Sequence, residues 1–296
     1  MSVLTASMSD TQLAHARAAL EGTHGDALID WMIAKNFGRP LPEVAPDVTA
    51  GAQAAGWVDA GLAFTEVGRL ASDSLREYRF WIDRGRTTHG SAHHPRTANA
   101  AYADLEVLEV GCGFGANLLS LQGSAKRLVG LDPVAVYRQM ARVLAAREGR
   151  EPVEIVAGLG ESLPFADASF DVVLCYSSHQ YMDVKRALED MARVLRPGGQ
   201  LQLISGQLDQ FMTVMRDERG LGALRHTVEV WLNTHAYQRF GRRVIGARLL
   251  GTTHVPIYPE DRHLERWLVD AGFVFRRDLL RRVHSDTYVF ADKAAA

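Results

Sequence analysis

Apolar residues recur at helical spacing through the first ninety positions and then, after residue 105, in short continuous runs separated by glycine and polar stretches. The first pattern predicts helices over Asp10 to Gly22 and Ala27 to Phe37, the second with Leu28, Trp31 and Met32 on one face. Pro40 and Pro42 stop the second helix. A small-residue segment, Val48 to Ala55, leads to Gly56-Trp57-Val58 and Leu62-Ala63-Phe64, which read as two short strands about a turn at Asp59-Ala60-Gly61. Thr65 is placed to cap a helix with Val67, Leu70, Ala71, Leu75, Tyr78 and Ile82 at helical spacing, ending near Gly85.

The second pattern is that of buried parallel strands. Val107, Leu108 and Val110 form an apolar run leading into Gly111, Gly113 and Gly115, and Asn117 to Leu121 opens a helix. Glycines allow positive φ and a close approach of backbone to a ligand, and a helix start presents free N–H groups that suit an anionic group. Leu128 to Asp132 is a further strand ending in a carboxylate seventeen residues beyond Gly115, where a βαβ unit sets an acid against ribose hydroxyls. A purely structural glycine turn and a dinucleotide site share these features. Toward the C-terminus, Leu208 to Asn233 reads as two helices, Glu260 to Ala271 as another, and Phe273 to Val283 with Thr287 to Ala291 as an antiparallel pair.

Glu109 within the first strand and the GCGFG spacing of the turn resemble the class I S-adenosylmethionine-dependent methyltransferases. The resemblance runs from about Glu106 to Ser205. Val153 to Val156 resembles the family's third strand, GLGESLPFADASFDVVLC the segment over the adenine and the fourth strand, and VKRALEDMARVLRPGGQLQLI its fourth helix, Arg-Pro-Gly-Gly turn and fifth strand. It implies a seven-stranded, mostly parallel α/β sheet with the last strand antiparallel and helices on both faces, beside a small, mainly helical N-terminal domain. Residues 1–86 are expected to form that domain, 87–103 a linker, and 104–296 the cofactor domain with a helical insertion over 206–255.

The resemblance implies S-adenosyl-L-methionine as cofactor, with S-adenosyl-L-homocysteine as product. Glu109 would orient the loop at the methionine part, Gly111, Gly113 and Gly115 approach that part, and Asp132 bind both ribose hydroxyls. Cys112, Asn117, Pro133, Gly160, Glu161 and Cys175 complete the implied cofactor set. Where many members carry Asp-Ala before the Glu, this chain has Leu159 and Gly160, so the adenine amine lacks its usual partner, and Glu161 or a backbone carbonyl is the substitute.

Composition narrows the class. With 296 residues, 47% hydrophobic and 23% charged, the chain is long enough for a core domain plus a smaller one, and disorder is not expected. A formal charge of −2 argues against broad binding to nucleic acid. No apolar run is long enough to span a bilayer, and MSVLTASMSD shows no export signal, so a cytoplasmic enzyme without nucleic-acid or membrane partners is expected. The two cysteines, Cys112 and Cys175, exclude a disulfide framework and read as small residues lining a pocket. Arg84 to Asn99 is polar and rich in histidine, but His89, His93 and His94 have no nearby partners that complete a metal set, and none is expected.

LAFTEVGRLASDSL resembles a winged-helix module. Its supposed recognition segment, Val48 to Ala55, has no Lys or Arg, so homodimerisation or covering the substrate fits better than DNA binding. Substrate candidates are Tyr78, Trp81, Tyr176, His179, Tyr181 and Phe211, with His179 the candidate base because imidazole titrates near neutrality. The segment Tyr176 to Tyr181 lacks the Asn/Asp-Pro-Pro-Tyr string of base methylation. Four C-terminal arginines, Arg276, Arg277, Arg281 and Arg282, read as a charged edge strand that resists edge pairing. The expected function is O- or N-methylation of a small molecule such as a specialised metabolite. A winged-helix regulator that senses a ligand, and an enzyme using the same cofactor for other chemistry, are the alternatives.

Overall fold

A computed structural model describes residues 5–91, 94–217, 221–245, 255–284 and 286–295; His93 and parts of the expected insertion, 218–220 and 246–254, lie outside them. In chain order the elements are α1 (Asp10–Glu21), α2 (Gly25–Asn36), α3 (Pro46–Ala54), α4 (Glu66–Asp83), β1 (Glu106–Val110), α5 (Ala116–Leu121), β2 (Arg127–Leu131), α6 (Ala135–Arg147), β3 (Glu154–Val156), β4 (Phe170–Tyr176), α7 (Val184–Val194), β5 (Leu195–Gly206), α8 (Leu208–Asp217), α9 (Leu221–Phe240), α10 (Asp261–Asp270), β6 (Phe273–Phe275), β7 (Arg281–Val283) and β8 (Asp286–Lys293). The chain divides into two compact units, one of Met1–His89, Gly113–Gln122 and Asp132–Ala157, the other of Gly90–Cys112, Gly123–Leu131 and Gly158–Ala296.

The first unit is organised by one apolar core. Leu20, Leu28, Trp31, Trp57, Leu75, Tyr78 and Trp81 of the N-terminal segment cluster with Phe114, Val136, Met140 and Leu144, so α1 to α4 share their core with α5 and α6. Local chemistry sets the boundaries. Ser9 caps α1 in a reciprocal box with Gln12, and Thr65 caps α4 by accepting from the Gly68 N–H at 2.9 Å. The segment Val48 to Ala55 is mostly helix, as α3, and Val58 pairs with Phe64 through a single antiparallel bridge.

The second unit carries the sheet in the order β2-β1-β4-β5-β8-β6, with β7 also on β8. Strands β2, β1, β4 and β5 run parallel, and β8 runs antiparallel to β5, β6 and β7. The mostly parallel α/β sheet matches the expected class, with one correction: eight strands occur among the described residues instead of seven. The single strand expected over Phe273 to Val283 is broken by a 3₁₀ turn at Arg277–Leu279, which yields β6 and β7, both pairing with β8. The arginines there meet carboxylates: Arg276 pairs with Asp278 and Asp292, Arg277 with Glu265 and Arg282 with Asp261. No helix among the described residues is long and apolar enough to cross a membrane.

Gly68 shows how closely the first unit is packed. A Cβ there would lie 1.8 Å from the Trp57 carbonyl oxygen, a backbone atom that cannot swing aside. Gly68→Ala is expected to destabilise the fold by about 1–3 kcal/mol through overpacking, measured by denaturant unfolding. A variant as stable as the parent would contradict this packing.

Candidate functional site

The first unit contributes a glycine turn and a buried acid. Gly113 and Gly115 adopt φ of 55° and 82°, a region that L side chains rarely enter, and Gly115 stands at the start of α5. Asp132 follows β2 and is 5% exposed. Its Oδ2 accepts from the Gly113 N–H at 3.0 Å and its Oδ1 from the Val134 N–H at 2.9 Å, while Arg138 Nη1 donates to its backbone oxygen at 2.7 Å. Burial nevertheless dominates and lifts the Asp132 carboxyl to about 6 against these donors. Asn117 is buried in α5 and its Oδ1 accepts from the His89 N–H at 2.7 Å, which ties the histidine-rich stretch to this helix. Pro133 is half-buried between Asp132 and α6.

Tyr78 and Trp81 are also in this unit and are enclosed. The Tyr78 hydroxyl donates to Glu148 and accepts from Arg147 Nε at 3.1 Å, and burial and Glu148 push the phenol up to about 12. Trp81 Nε1 donates to Ser120 Oγ at 2.8 Å. Both rings pack edge-on against Phe114, with centroids 6.1 and 6.5 Å away.

In the second unit, Glu109 of β1 is 2% exposed, and its charge helps to raise the pKa of Tyr102, Cys175 and Tyr176. Gly111 and Cys112 follow, their N–H groups donating to the Leu131 carbonyl at 2.7 and 3.2 Å. The glycine at 111 answers to a side chain: a Cβ would meet Ser178 Cβ at 2.4 Å. At Gly160 it would meet Met182 Sδ at 2.4 Å. Glu161 caps α7, its Oε1 accepting from the Asp183 N–H at 2.7 Å, and Leu159 is exposed. Cys175 is buried with Sγ 3.1 Å from Ser178 Oγ, and burial pushes its thiol up to about 12, which keeps it an inert thiol.

After β4 the chain turns sharply at Ser177, whose φ of 54° is strained for a residue with a Cβ. This turn directs His179 inward, where it is fully buried with neither ring nitrogen hydrogen-bonded. Tyr176 and Tyr102 both donate to Gln202 Oε1, at 2.9 and 2.8 Å, so the Tyr176 hydroxyl is engaged within the sheet's interior. Tyr181 is exposed, and Phe211 of α8 stacks on Tyr258 with centroids 5.1 Å apart. Among the described residues no three His, Cys, Asp or Glu side chains gather in a way that would hold a metal ion.

Two features were not read from the sequence. His94 is buried, with its ring 4.4 Å from that of Phe290, although its stretch reads as a solvated linker. Glu77 of α4 presses its carboxylate against the glycine turn, with Oε2 2.7 Å from where a Gly113 Cβ would lie. The available signal was a carboxylate between Ser74 and Trp81 on the apolar stripe of its helix.

Burial pushes His179 down to about 4 from an ordinary 6.5. The folded value lies below the unfolded one, so this contribution to stability is complete above pH 6.5 and is lost as pH falls toward 4. In a histidine NMR titration the His179 ring is expected to stay neutral from about pH 8 to about pH 5. A midpoint near the ordinary value would show that solvent reaches the ring.

A family described as "Methyltransferase domain" matches residues 108–203, which hold the end of β1, the glycine turn, β2, Asp132 and β4. A methyltransferase of Bacillus subtilis named as uncharacterised is 35% identical over 103 residues, 34% of this chain and 41% of the relative. Phthiotriol/phenolphthiotriol dimycocerosates methyltransferase 1 of Mycobacterium ulcerans is 30% identical over 56% of this chain and 69% of its own length. The chain thus spans under half of the first relative and about two thirds of the second. A crystal structure of an S-adenosylmethionine-dependent methyltransferase from Methanosarcina mazei shares the fold, with a TM-score of 0.50, 19% identity, and coverage of 69% of this chain and 99% of that one. The glycine turn closed on a buried acid and the match through β5 lead to one assignment: the chain belongs to the class I S-adenosylmethionine-dependent methyltransferases.

Proposed function

We propose that this protein transfers a methyl group from S-adenosyl-L-methionine to a hydroxyl or amine of a small molecule, such as a specialised metabolite. The observation that carries the reading is Asp132: a carboxylate buried at the end of β2, with one backbone N–H fixed on each oxygen. Each oxygen keeps a lone pair, and an acid raised to about 6 by burial is short of donors, which a ribose diol supplies. The residues fit the group. In the first unit Asp132 would take the ribose hydroxyls, with Gly113, Gly115, Asn117 and Pro133 shaping the turn beside it. In the second unit Glu109 is the acid for the methionine part, and Gly111, Cys112, Gly160, Glu161 and Cys175 are the remaining candidates.

Bound S-adenosylmethionine supplies a methyl group on a sulfonium, which is already an activated leaving group. The protein's task is to orient the acceptor and exclude water. His179 is neutral at physiological pH, so an imidazole nitrogen is able to accept a hydrogen bond from the substrate hydroxyl or amine. A ring pushed down to about 4 holds a full proton poorly, so the His179 nitrogen orients the acceptor, whose proton is given up to bulk water as the methylated product and S-adenosylhomocysteine leave rather than stored on the buried ring. Tyr181, exposed beside it in sequence, and Phe211 offer aromatic surface to an apolar substrate body. A relative named for a triol substrate favours a hydroxyl as the methylated group.

Incubation with methyl-labelled cofactor and a metabolite extract is expected to move label into a small molecule; label that stays on the cofactor would count against methyl transfer. Asp132→Ala is expected to lose about 1–3 kcal/mol of S-adenosylhomocysteine affinity by calorimetry. A folded variant that binds as the parent does would remove Asp132 from the ribose.

A further inference from the structure

Glu77 differs from the acids that build the first unit. Arg79, Arg86 and Arg147 bind carboxylates at Asp26, Asp30 and Glu148, and those pairs hold helices together. Glu77 is half-buried and makes no hydrogen bond or ion pair among the described residues. The charges that act on it are Arg84 just past the end of its helix, Asp132 before α6, and Arg76 and Asp73 of its own helix, and it in turn acts on Tyr137 of α6. Burial outweighs the two arginines and lifts the carboxyl to about 7.

A partly desolvated carboxylate with no donor from the protein costs free energy, and the cost falls when a ligand brings a donor. The position of Glu77 identifies that donor. Its Oε2 lies against Gly113, the residue whose N–H holds Asp132 Oδ2, and Asp132 is close enough to disfavour a second charge at Glu77. Two neighbouring carboxylates suit a group with two adjacent hydroxyls, one hydroxyl donating to each.

We infer that Glu77 is a second ribose-binding residue, whose carboxylate accepts a hydrogen bond from one ribose hydroxyl of the cofactor while Asp132 accepts from the other. The inference rests on the reading that Asp132 holds the ribose. It makes α4, from the N-terminal segment, a part of the cofactor site and gives that segment a role beyond packing. The protein's glycine at 113 then serves two ends, since a side chain there would push Glu77 away from the turn.

Calorimetry on the full chain at neutral pH, with S-adenosylhomocysteine and 5′-methylthioadenosine as probes, tests this. The second probe keeps the ribose and lacks the amino-acid end. Glu77→Gln is expected to weaken both probes by a similar factor, about three- to tenfold, and to melt without ligand at the same or a higher temperature, because a half-buried charge without a protein donor is gone. Glu77→Asp, which retracts the carboxylate by one methylene, is expected to weaken both as well and serves if the glutamine variant does not fold. Weakening confined to S-adenosylhomocysteine would place Glu77 at the amino-acid end and overturn the ribose assignment. Parental affinity in Glu77→Gln with loss in Asp132→Asn would overturn the role of Glu77 alone. Parental affinity in both variants would overturn the reading of Asp132 as well.

Discussion

Keeping one carboxylate out of water constrains much of the first unit. Asp132 is 5% exposed, and an ionised carboxylate is retained in such a place only when donors surround it. Two backbone N–H groups meet part of that need, one from Gly113 and one from Val134, and they fix the glycine turn and the entry to α6 relative to each other. The Asp132 backbone is held too, its N–H donating to the Val156 carbonyl at 3.1 Å and its oxygen accepting from Arg138. The turn that satisfies this acid needs φ of 55° at residue 113, which glycine reaches without strain. An acid, a glycine turn and a helix start are thereby set side by side in one unit.

The second unit solves a related problem by mutual pairing. Tyr102 and Tyr176 share the Gln202 side chain, and Gln202 Nε2 also donates to Gln200 Oε1 at 3.1 Å, so the polar groups inside the sheet satisfy one another. His179 is one of several exceptions among the described residues, with Gln180 Oε1 and Trp267 Nε1 also lacking a partner; it is buried with both ring nitrogens unpaired and held neutral. The strained turn at Ser177 lies two residues before it. Strain and an unsatisfied polar group two positions apart, as at Ser177 and His179, are common where binding matters more than stability.

Much of this was legible in the chain because local rules decided it. The apolar run of β1, the glycines and the acid after β2 follow from strand burial and turn sterics, and Thr65 begins α4 because a hydroxyl satisfies an orphan N–H. Tertiary contacts decided the rest. Nothing in FVFRRDLLRRV marks where one strand becomes two, since the break depends on which residues of β8 are left to pair. His94 looks solvated until Phe290, nearly two hundred residues on, covers its ring. The same holds for Tyr78 and Trp81, whose aromatic character suggests a substrate wall while Glu148 and Ser120 hold their polar atoms inside the core. Glu77 left a trace, a charge on an apolar helical stripe, but its meaning depends on Gly113 lying against it.

In the proposed reading, two carboxylates of the first unit, buried Asp132 and half-buried Glu77, take hydrogen bonds from the cofactor. Asp132 and Glu77, lifted by burial to about 6 and about 7, hold a share of protons in the free protein near pH 6.5. Hydrogen bonds from a ligand favour the ionised forms and must expel those protons. Calorimetric titration of S-adenosylhomocysteine in two buffers of different ionisation enthalpy measures the proton count directly. Release of a substantial fraction of a proton near pH 6.5, fading to none by about pH 8.5, is the predicted result. Tight binding with no proton exchanged at the lower pH, or with uptake, would contradict it.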